Sequence, residues 1–251
     1  MAKPRARDGE SRFLSAYRPE DFARPAVAVD IVVLTLTDAD LKVLLVRRKE
    51  HPFRDKWALP GGFVRVGDAK DNRGEDIDDA AARELAEETS LPLGATYLEQ
   101  LGAFGKPDRD PRMRVISIAY FALVRPTLVP FVQAGGDASV ARWWSVSLLL
   151  RETLAFDHAE ILAAALARAR AKLDDSNIAF ELVPETFSIP ELRAVYEVVK
   201  GAAQDPGNFR KRFQRMLDTG LVEVAPGKRI TGSKPAKVYR FRRSAHATSA
   251  K

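Results

Sequence analysis

Two apolar runs near the start of the chain have the pattern of a β-hairpin. Val27–Leu36 is rich in Val, Ile and Leu, and Leu41–Val46 repeats that composition after the turn Asp38–Asp40. Such runs, joined by a short polar turn, are typical of adjacent antiparallel strands. The preceding residues 1–24 are polar and charged, and we expect them to be mostly flexible. Four apolar residues of that segment are candidates for packing against the first domain: Phe13, Leu14, Tyr17 and Phe22.

Further along the chain, some stretches space their apolar residues as a strand does and others as a helix does. Residues 95–104 and Val115–Val124 have the composition of strands. Glu75–Leu91 and His158–Lys172 place apolar residues at i, i+4 spacing, which predicts two helices. This mixture favours an α/β sandwich over residues 25–157.

The domain boundary is expected near Phe156–Ile161. Asp157 and Glu160 have the spacing of a capping box for the second helix. We therefore interpret His158 as a cap or first-turn residue rather than a ligand. A second domain is predicted at 158–243, followed by a flexible tail at 244–251.

The second domain has the outline of a winged helix-turn-helix. Ser188 and Glu191 form a capping box, with Pro190 in the first turn. The predicted elements are a short strand at Ile178–Val183, helices at Glu191–Lys200 and Asn208–Asp218, and strands at Leu221–Val224 and Ala236–Phe241, joined by the connection Ala225–Pro235.

The net charge of +6 is concentrated in this domain. From Ile178 to Lys251 there are 14 Lys and Arg against 7 Asp and Glu, whereas the rest of the chain has 26 against 27. A basic helix beside a basic hairpin favours DNA, with Lys and Arg on phosphates and Asn or Arg at base edges. A small basic domain that binds protein or RNA is the alternative. The candidate DNA-binding residues are Asn208, Arg210, Lys211, Arg212, Arg215, Lys228, Arg229 and Lys234.

Composition excludes several other classes. The 251 residues are 46% hydrophobic, which is enough for two ordinary domains. There is no run of 18 apolar residues and no apolar N-terminal stretch, so neither a membrane span nor a secretory signal is expected. The absence of Cys excludes disulfides, thiolate zinc sites and a cysteine nucleophile. We therefore expect a cytoplasmic protein.

The first helix carries a candidate metal site. Glu84 and Glu88 are i, i+4, so they project from one face of the helix, with Glu87 beside them. Arg83 and Glu87 are also i, i+4 and can form an ion pair. Converging carboxylates suit a hard ion such as Mg²⁺ or Mn²⁺. The alternative is a solvated acidic helix face.

Basic and aromatic residues provide candidate ligand contacts. Arg47, Arg48 and Lys49 precede Phe53 and Trp57, so this region could hold a phosphate and stack a base. Arginines in and beside the loop 105–112 could clamp a diphosphate. Solvated charge and a core Trp are the alternatives. The candidate ligand-binding residues are Arg47, Phe53, Trp57, Arg112 and Arg114.

The stretch Arg83–Leu91 resembles the core of the Nudix box, Gly-x5-Glu-x7-Arg-Glu-U-x-Glu-Glu-x-Gly-U, where U is aliphatic, with Glu75 at the expected distance. Leu59-Pro-Gly-Gly62 resembles its lead-in. The opening Gly of the box falls on Ala69, Ser90 replaces the closing Gly, and Asp68–Gly74 reads as an insertion. These departures argue against efficient hydrolysis.

The chain from about residue 20 to 243 resembles the Nudix-related transcriptional regulators (NrtR) of bacterial NAD metabolism. The resemblance rests on the order of the two modules and on the stretches Trp57–Val64, Leu154–Leu162, Leu182–Ser188 and Pro235–Phe241. It implies a Nudix α/β/α sandwich followed by a winged helix, a bacterial cytoplasmic homodimer, a palindromic operator in double-stranded DNA, and ADP-ribose or a related nucleoside diphosphate sugar as effector.

Two functions follow as hypotheses. As a repressor of NAD-metabolism or related genes, the Nudix-like domain would bind ADP-ribose and shift the DNA-binding modules through the helix that begins at His158. As a hydrolase of the ADP-ribose pyrophosphatase type, Glu84, Glu87 and Glu88 would be catalytic and hold metal ions. For the repressor, we expect regulation not to require the Mg²⁺ or Mn²⁺ ion that Glu84 and Glu88 would hold.

Overall fold

The computed structural model describes residues 6–67, 74–89, 96–132, 138–149, 153–231 and 234–242. Most of the predicted insertion (68–73), Ser90 and the tail 244–251 lie outside these ranges. Within them, the chain forms a large mixed sheet with helices on both faces, followed by a smaller helical part with a three-stranded sheet.

The first two strands form the predicted hairpin. β1 (Ala26–Thr37) and β2 (Asp40–Arg48) pair antiparallel, with Thr37 opposite Asp40. Asp38 and Ala39 between them have φ values of 56° and 54°. Two consecutive left-handed residues are the backbone of a type I′ turn, whose twist matches that of the strands. The hairpin prediction is therefore confirmed.

The described residues add five strands around this hairpin: β3 (Trp57–Ala58), β4 (Gly61–Phe63), β5 (Tyr97–Phe104), β6 (Val115–Leu123) and β7 (Ala138–Ser145). The order is β3-β2-β1-β6-β5, with β4 also paired to β1 and β7 to β2. β1 and β6 run parallel at the centre, in register from Ala26 with Val115 to Leu34 with Leu123. Both strands are buried along most of their length.

Different helices cover the two faces of the sheet. Ile31 on β1 packs in one apolar cluster with Leu85 of α2 (Ile77–Thr89). The neighbouring Val32 packs in a second cluster with residues of α4 (His158–Lys172). Successive residues of a strand point to opposite faces, so β1 supplies both clusters. The predicted α/β/α sandwich is confirmed, and α4 has the predicted bounds.

The N-terminal segment contains helix α1 (Ala6–Ala16) and a 3-10 helix at Pro19–Asp21. Its apolar residues contact one another. The ring centroids of Phe13 and Tyr17 are 5.5 Å apart, and those of Tyr17 and Phe22 are 5.6 Å apart. The predicted packing against the first domain is wrong for the three aromatic residues, because Phe13, Tyr17 and Phe22 form a row of their own on the surface. All four are exposed: Phe13, Leu14, Tyr17 and Phe22.

The C-terminal part is a winged helix, as predicted. Its elements are a 3-10 helix (Ile178–Leu182), β8 (Thr186–Phe187), α5 (Ile189–Lys200), α6 (Pro206–Asp218), β9 (Val222–Thr231) and β10 (Lys234–Phe241). The capping box is confirmed: the Glu191 backbone N–H donates to Ser188 Oγ, and the Ser188 backbone N–H donates to the Glu191 carboxylate at 2.7 Å. A short helix α3 (Val146–Leu149) follows β7, and a 3-10 helix spans Pro126–Phe131.

Three local predictions need correction. Ile178–Leu182 is a 3-10 helix rather than a strand, because its apolar residues are buried together and the edge of β10 pairs with β8 instead. The connection predicted at Ala225–Pro235 is mostly strand, since β9 and β10 stay paired as far as Thr231 and Lys234. Asp157 is the N-cap residue of α4 but makes no capping hydrogen bond, because Arg109 holds its carboxylate.

The sandwich and the winged helix share one apolar cluster. Val32 and Phe121 of the sheet belong to the same contiguous set as Leu192 of α5 and Phe213 of α6. Helix α4 contributes Ile161 and others to this set and contacts both parts. The winged helix is therefore packed on the sandwich rather than tethered to it. The boundary at 157/158 stays a prediction, since α4 belongs to both neighbourhoods.

We expect the two parts to unfold together. Leu192→Ala removes a fully buried side chain from α5 and should destabilise the chain by about 2–5 kcal/mol. All three tryptophans, Trp57, Trp143 and Trp144, lie in the sandwich. Because the core is shared, urea unfolding followed by tryptophan fluorescence should show the same lowered midpoint as circular dichroism. Val224→Ala, at a position 61% exposed on β9, is the matched control. An unchanged fluorescence midpoint in Leu192→Ala would show that the parts unfold independently.

A second stability effect depends on pH. Arg83 donates to both oxygens of Glu75, at 2.9 and 2.6 Å, and this contact lowers the pKa of Glu75 from 4.5 to about 2. A depressed carboxyl pKa contributes stability in full above pH 4.5, and that contribution is lost as pH falls towards 2.

Glu75→Gln should therefore cost about 1.5–3 kcal/mol at neutral pH. The difference from the wild-type protein should shrink as denaturant midpoints are measured at decreasing pH below 4.5. Asp55→Asn, which alters an exposed pair with Arg47, serves as the control. A Glu75→Gln difference that stays constant down to pH 3 would contradict this assignment.

Candidate functional site

A cavity of about 450 Å³ lies beside the centre of the large sheet. Its walls come from β1, β2 and β4, from α2, from the loop between β5 and β6, and from the residues that begin α4. Carboxylates and arginines make up much of this lining. These elements are far apart along the sequence, and the order of the strands in the sheet brings them together.

The acidic residues of the lining pack against the turn at Gly61 and Gly62. Glu84 and Glu88 are each 8% exposed, and the backbone N–H of Gly61 donates to Glu88 Oε2 at 2.9 Å. A Cβ atom at Gly62 would collide with the Glu84 carboxylate, and one at Gly61 would collide with the carbonyl of Val29. Gly61 is required there because its neighbour is the backbone of β1, whereas a larger residue at Gly62 would displace the Glu84 carboxylate.

Arg83 supplies positive charge to the same carboxylates. Its Nη1 donates to Glu84 Oε1 at 2.6 Å and to Glu87 Oε2 at 3.1 Å. Glu87 also pairs with Arg65 at 3.1 Å. Burial nevertheless raises the pKa of Glu84, because the hydrogen bond from Arg83 offsets only part of the desolvation. The predicted pairing of Arg83 with Glu87 is confirmed.

Glu84 and Glu88 fit a metal ion in part. Among the described residues, no three His, Cys, Asp or Glu side chains are grouped as a metal site would require. Mg²⁺ usually binds through one or two carboxylates together with ligand phosphates and waters. The donor set therefore suits an ion that arrives with a phosphorylated ligand rather than one held by the protein alone.

The basic part of the lining is centred on Phe156. The guanidinium carbon of Arg48 lies 4.9 Å from the ring centroid and that of Arg112 lies 6.0 Å from it. Burial and the Arg112 charge lower the pKa of Arg48. Phe156 has a left-handed φ of 52°, which costs a non-glycine residue roughly 1 kcal/mol or more. Two guanidinium groups thus lie at one wall, with the Asp110 carboxylate paired to Arg112 at 2.8 Å.

The structure brings only some of the predicted ligand-binding residues to this cavity. Arg47 and Arg112 line it. The other three predicted residues are not part of the lining. Phe53 packs against Phe156 with centroids 4.8 Å apart, Trp57 packs against Trp144 at 5.2 Å, and Arg114 donates to the Gly105 carbonyl at 2.6 Å.

A buried ionic network forms the remaining wall. Arg109 donates to both oxygens of Asp157, at 2.9 and 2.7 Å, and to Asp30 Oδ2 at 3.0 Å. Ser117 donates to the same Asp30 oxygen at 2.5 Å, and His158 Nε2 lies 3.3 Å from Asp30 Oδ1. Burial alone would raise the pKa of Asp30, but His158, Ser117 and Arg109 together hold it well below its usual range.

His158 has a fixed tautomer in this network. Its Nδ1 accepts a hydrogen bond from the backbone N–H of Leu59 at 2.8 Å, so the proton lies on Nε2 and faces Asp30. The expectation of a first-turn position is confirmed, since His158 begins α4. It also lines the cavity, which sequence reasoning did not foresee.

Sequence reasoning missed the roles of Asp30 and Phe156, and it considered Arg48 and Arg109 only as members of basic groups that could hold phosphate. One signal was present: Asp30 is the lone charge in an otherwise apolar strand. A charge at such a position is buried only when it has partners. Its partners come from residues 79 to 128 positions away in the sequence, so their identity was out of reach.

The predicted DNA-binding residues of α6 fall into two groups. Asn208, Arg210, Lys211 and Arg215 are exposed on one side of the helix. Arg212 points elsewhere: it donates to Asp174 Oδ1 at 2.7 Å and lies over the Tyr196 ring at 4.3 Å. It anchors the helix to the rest of the domain.

The wing is the hairpin of β9 and β10, and its predicted DNA-binding residues also fall into an exposed group and an internally paired group. Lys228 is exposed on β9, whereas Arg229 donates to Glu191 at 2.6 Å and to the Thr186 carbonyl at 2.9 Å. The side chain of Lys234 lies outside the described residues. An exposed basic helix face beside a partly basic hairpin therefore remains as a candidate nucleic-acid surface.

Two family models match the chain in this order: the NUDIX domain over residues 25–165 and the NrtR DNA-binding winged helix domain over residues 179–241. The chain is 32% identical to the ADPR responsive transcriptional repressor NtrR of Acinetobacter baylyi, over 92% of this chain and 88% of that protein. It is 39% identical to an ADP-ribose pyrophosphatase of Methanocaldococcus jannaschii, over 61% of this chain and 79% of that protein.

Solved structures agree. Shewanella oneidensis NrtR in complex with a 27mer DNA matches at a TM-score of 0.71 and 32% identity, over 86% of this chain and 93% of that one. The NUDIX domain of the same protein, in complex with ADP ribose, matches at 0.54 and 35%, over 63% and 97%. No helix in the described part of this chain is long and apolar enough to cross a bilayer. The chain therefore belongs to the NrtR family of transcriptional regulators, in which a Nudix domain is followed by a winged helix.

Proposed function

We propose that this protein is a DNA-binding transcriptional repressor whose Nudix domain binds ADP-ribose. The observation that carries this function is the presence in one chain of a charged Nudix cavity, followed by a winged helix with an exposed basic face. The 32% identity to the Acinetobacter repressor supports it. The ADP ribose complex of the Shewanella domain supports the choice of effector. Control of NAD-metabolism or related genes in a bacterial cytoplasm is part of the proposal.

The diphosphate of ADP-ribose would lie against Arg48 and Arg112, with Arg47 beside them. These guanidinium groups approach one aromatic ring, so an anion between them relieves their mutual repulsion. Phe156, rather than the predicted Phe53 or Trp57, would present an aromatic surface to the ligand. Phe53 would then support Phe156 from the side away from the cavity lining.

Mg²⁺ or Mn²⁺ would bind together with the ligand. Glu84 and Glu88 would hold the ion, and phosphate oxygens and water would complete its shell. Burial raises the pKa of Glu84, and an ion beside the carboxylate would offset part of that desolvation. Arg83 already neutralises Glu84 and Glu87 in part, so ligand binding does not require the ion.

DNA would be bound by α6, which would be the recognition helix, and by the wing. Asn208, Arg210, Lys211 and Arg215 would enter the major groove, and Lys228 with Lys234 would contact phosphates. Arg212 and Arg229, which we predicted as DNA contacts, would position α6 and the wing instead. A homodimer on a palindromic operator completes the proposal, because each copy presents one such helix.

A second candidate function is hydrolysis of ADP-ribose. The identity to the Methanocaldococcus pyrophosphatase and the placement of Glu84 and Glu88 in the cavity favour it. In that reaction a bound Mg²⁺ would activate water and stabilise the diphosphate charge. Glu84 and Glu88 would hold the ion, while Arg48 and Arg112 would orient the diphosphate. Retained turnover and regulation can coexist in one chain.

The regulator proposal is tested with DNA that the protein itself selects from a random-sequence pool. Fluorescence anisotropy of that labelled duplex should show salt-sensitive binding, and ADP-ribose should change its affinity by roughly 5–150-fold. Arg210→Ala with Lys211→Ala should lower the affinity by about tenfold or more and reduce the salt slope, because α6 loses two of the cations that it presents to the DNA.

The matched control combines Arg18→Ala with Arg54→Ala, which removes two exposed arginines outside the winged helix and should leave DNA affinity unchanged. Equal losses in both double variants would indicate general electrostatic attraction rather than a recognition helix. Absence of any selected sequence would overturn the regulator function.

The hydrolase candidate is tested by AMP release from ADP-ribose with Mg²⁺ or Mn²⁺. If the wild-type protein turns ADP-ribose over, Glu88→Gln should lower the rate by about a hundredfold or more, since a metal-holding carboxylate is lost. Its ligand-free DNA affinity should not change, because Glu88 lies in the cavity and Gln can still accept from Gly61. No turnover by the wild-type protein would discard the hydrolase. Loss of DNA binding in a folded Glu88→Gln variant would refute the separation of the two sites.

A further inference from the structure

The loop between β5 and β6 contacts the cavity on one side and α4 on the other. Arg112 reaches the cavity wall, and three residues earlier Arg109 grips Asp157 at the start of α4. We propose that Arg109 is a positioning residue that transmits occupancy of the cavity to α4 and so to the DNA-binding helix. This inference rests on the proposed function as an ADP-ribose-responsive repressor.

Arg109 lies in the cavity wall, but its guanidinium already donates to carboxylates of the protein. Its side chain is 4% exposed, and its guanidinium is shared between Asp157 and Asp30. Three hydrogen bonds fix its plane, and two of them form a bidentate pair with Asp157. It therefore joins three elements: the loop, β1 and the residue before α4.

The cavity end of the loop can respond to an anion. Arg112 is 43% exposed and is held by Asp110, whose side chain is 3% exposed. The Arg112 backbone N–H also donates to Asp110 Oδ1 at 2.9 Å, so residues 110–112 form a turn that begins directly after Arg109. A diphosphate that competes with Asp110 for the Arg112 guanidinium would shift this turn, and with it Arg109, the residue before it.

The far end of α4 holds the winged helix. Arg170 donates to the carbonyl of Val199 at 3.0 Å, and Asp174, just beyond the helix, pairs with Lys200 at 2.6 Å and with Arg212 of α6 at 2.7 Å. A 15-residue helix spans about 22 Å and moves as a rigid element. A displacement at Asp157 is therefore carried to the recognition helix.

Binding linkage separates this role from a merely structural one. If ADP-ribose alters DNA affinity by a given factor, DNA alters ADP-ribose affinity by the same factor. ADP-ribose dissociation constants are measured by calorimetry with and without a saturating selected duplex. In the wild-type protein we expect the two constants to differ by roughly 5–150-fold.

In Arg109→Lys and in Asp157→Asn we expect that ratio to fall below about threefold, because the bidentate pair is lost from either side. The ratio is formed within each variant, so any change in the constant measured without DNA cancels from it. Lys106→Ala is the matched control. It removes an exposed pair with Glu160, on the same loop and the same turn of α4, and should retain the wild-type ratio.

A wild-type ratio in both folded variants would overturn the inference and leave the proposed function intact. A wild-type protein that binds ADP-ribose and DNA with a ratio of one would refute the proposed function, and the inference with it. Amide exchange in the unmodified protein provides a test that does not depend on variant folding. ADP-ribose should alter the exchange of residues 158–161, and unchanged exchange there would also overturn the inference.

Discussion

The buried carboxylate of Asp30 is the constraint around which the cavity is built. It lies on the central strand of the sheet, where an unpaired charge would be strongly unfavourable. The cost is offset only because Arg109, Ser117 and His158 meet there. These partners come from the β5–β6 loop, β6 and the start of α4, so satisfying one charge fixes the relative placement of three elements. The walls of the cavity follow from that placement.

The same wall connects to a core that does not end at the sandwich. Because α4 packs both on the sheet and on the winged helix, the apolar cluster continues from β1 and β6 into α5 and α6. If a flexible linker joined the two domains, a displacement in one domain would not reach the other. Here the displacement passes through packed side chains and a rigid helix, and Arg212 gives it an ionic connection to α6. Continuous packing of this kind is what a ligand-driven change in DNA binding requires.

The arginine in the Nudix box affects the balance between binding and chemistry. Arg83 ties Glu84 and Glu87 to Glu75, so carboxylates that could gather metal ions are already partly neutralised. A cavity of this type can bind a diphosphate through its arginines and still accept a metal ion with it. The effector and the substrate of the two candidate functions are one molecule, and the difference lies in whether water is activated beside it.

Much of the fold could be predicted from local patterns. The β1–β2 hairpin, the bounds of α4, the capping box at Ser188 and the two helices of the winged helix each depend on residues close in sequence, whose periodicity and caps are readable directly. The Nudix carboxylates and the basic face of α6 were readable for the same reason. Only the tertiary structure decided which cations serve structure. Arg109, Arg212 and Arg229 are paired internally, whereas Arg210 and Lys211 are exposed. It also placed Phe156 and Arg48, instead of Phe53 and Trp57, at the cavity wall. The physical reason is that the environment of a charged or aromatic side chain depends on partners distant in sequence, and these are specified only when the sheet and α4 have packed.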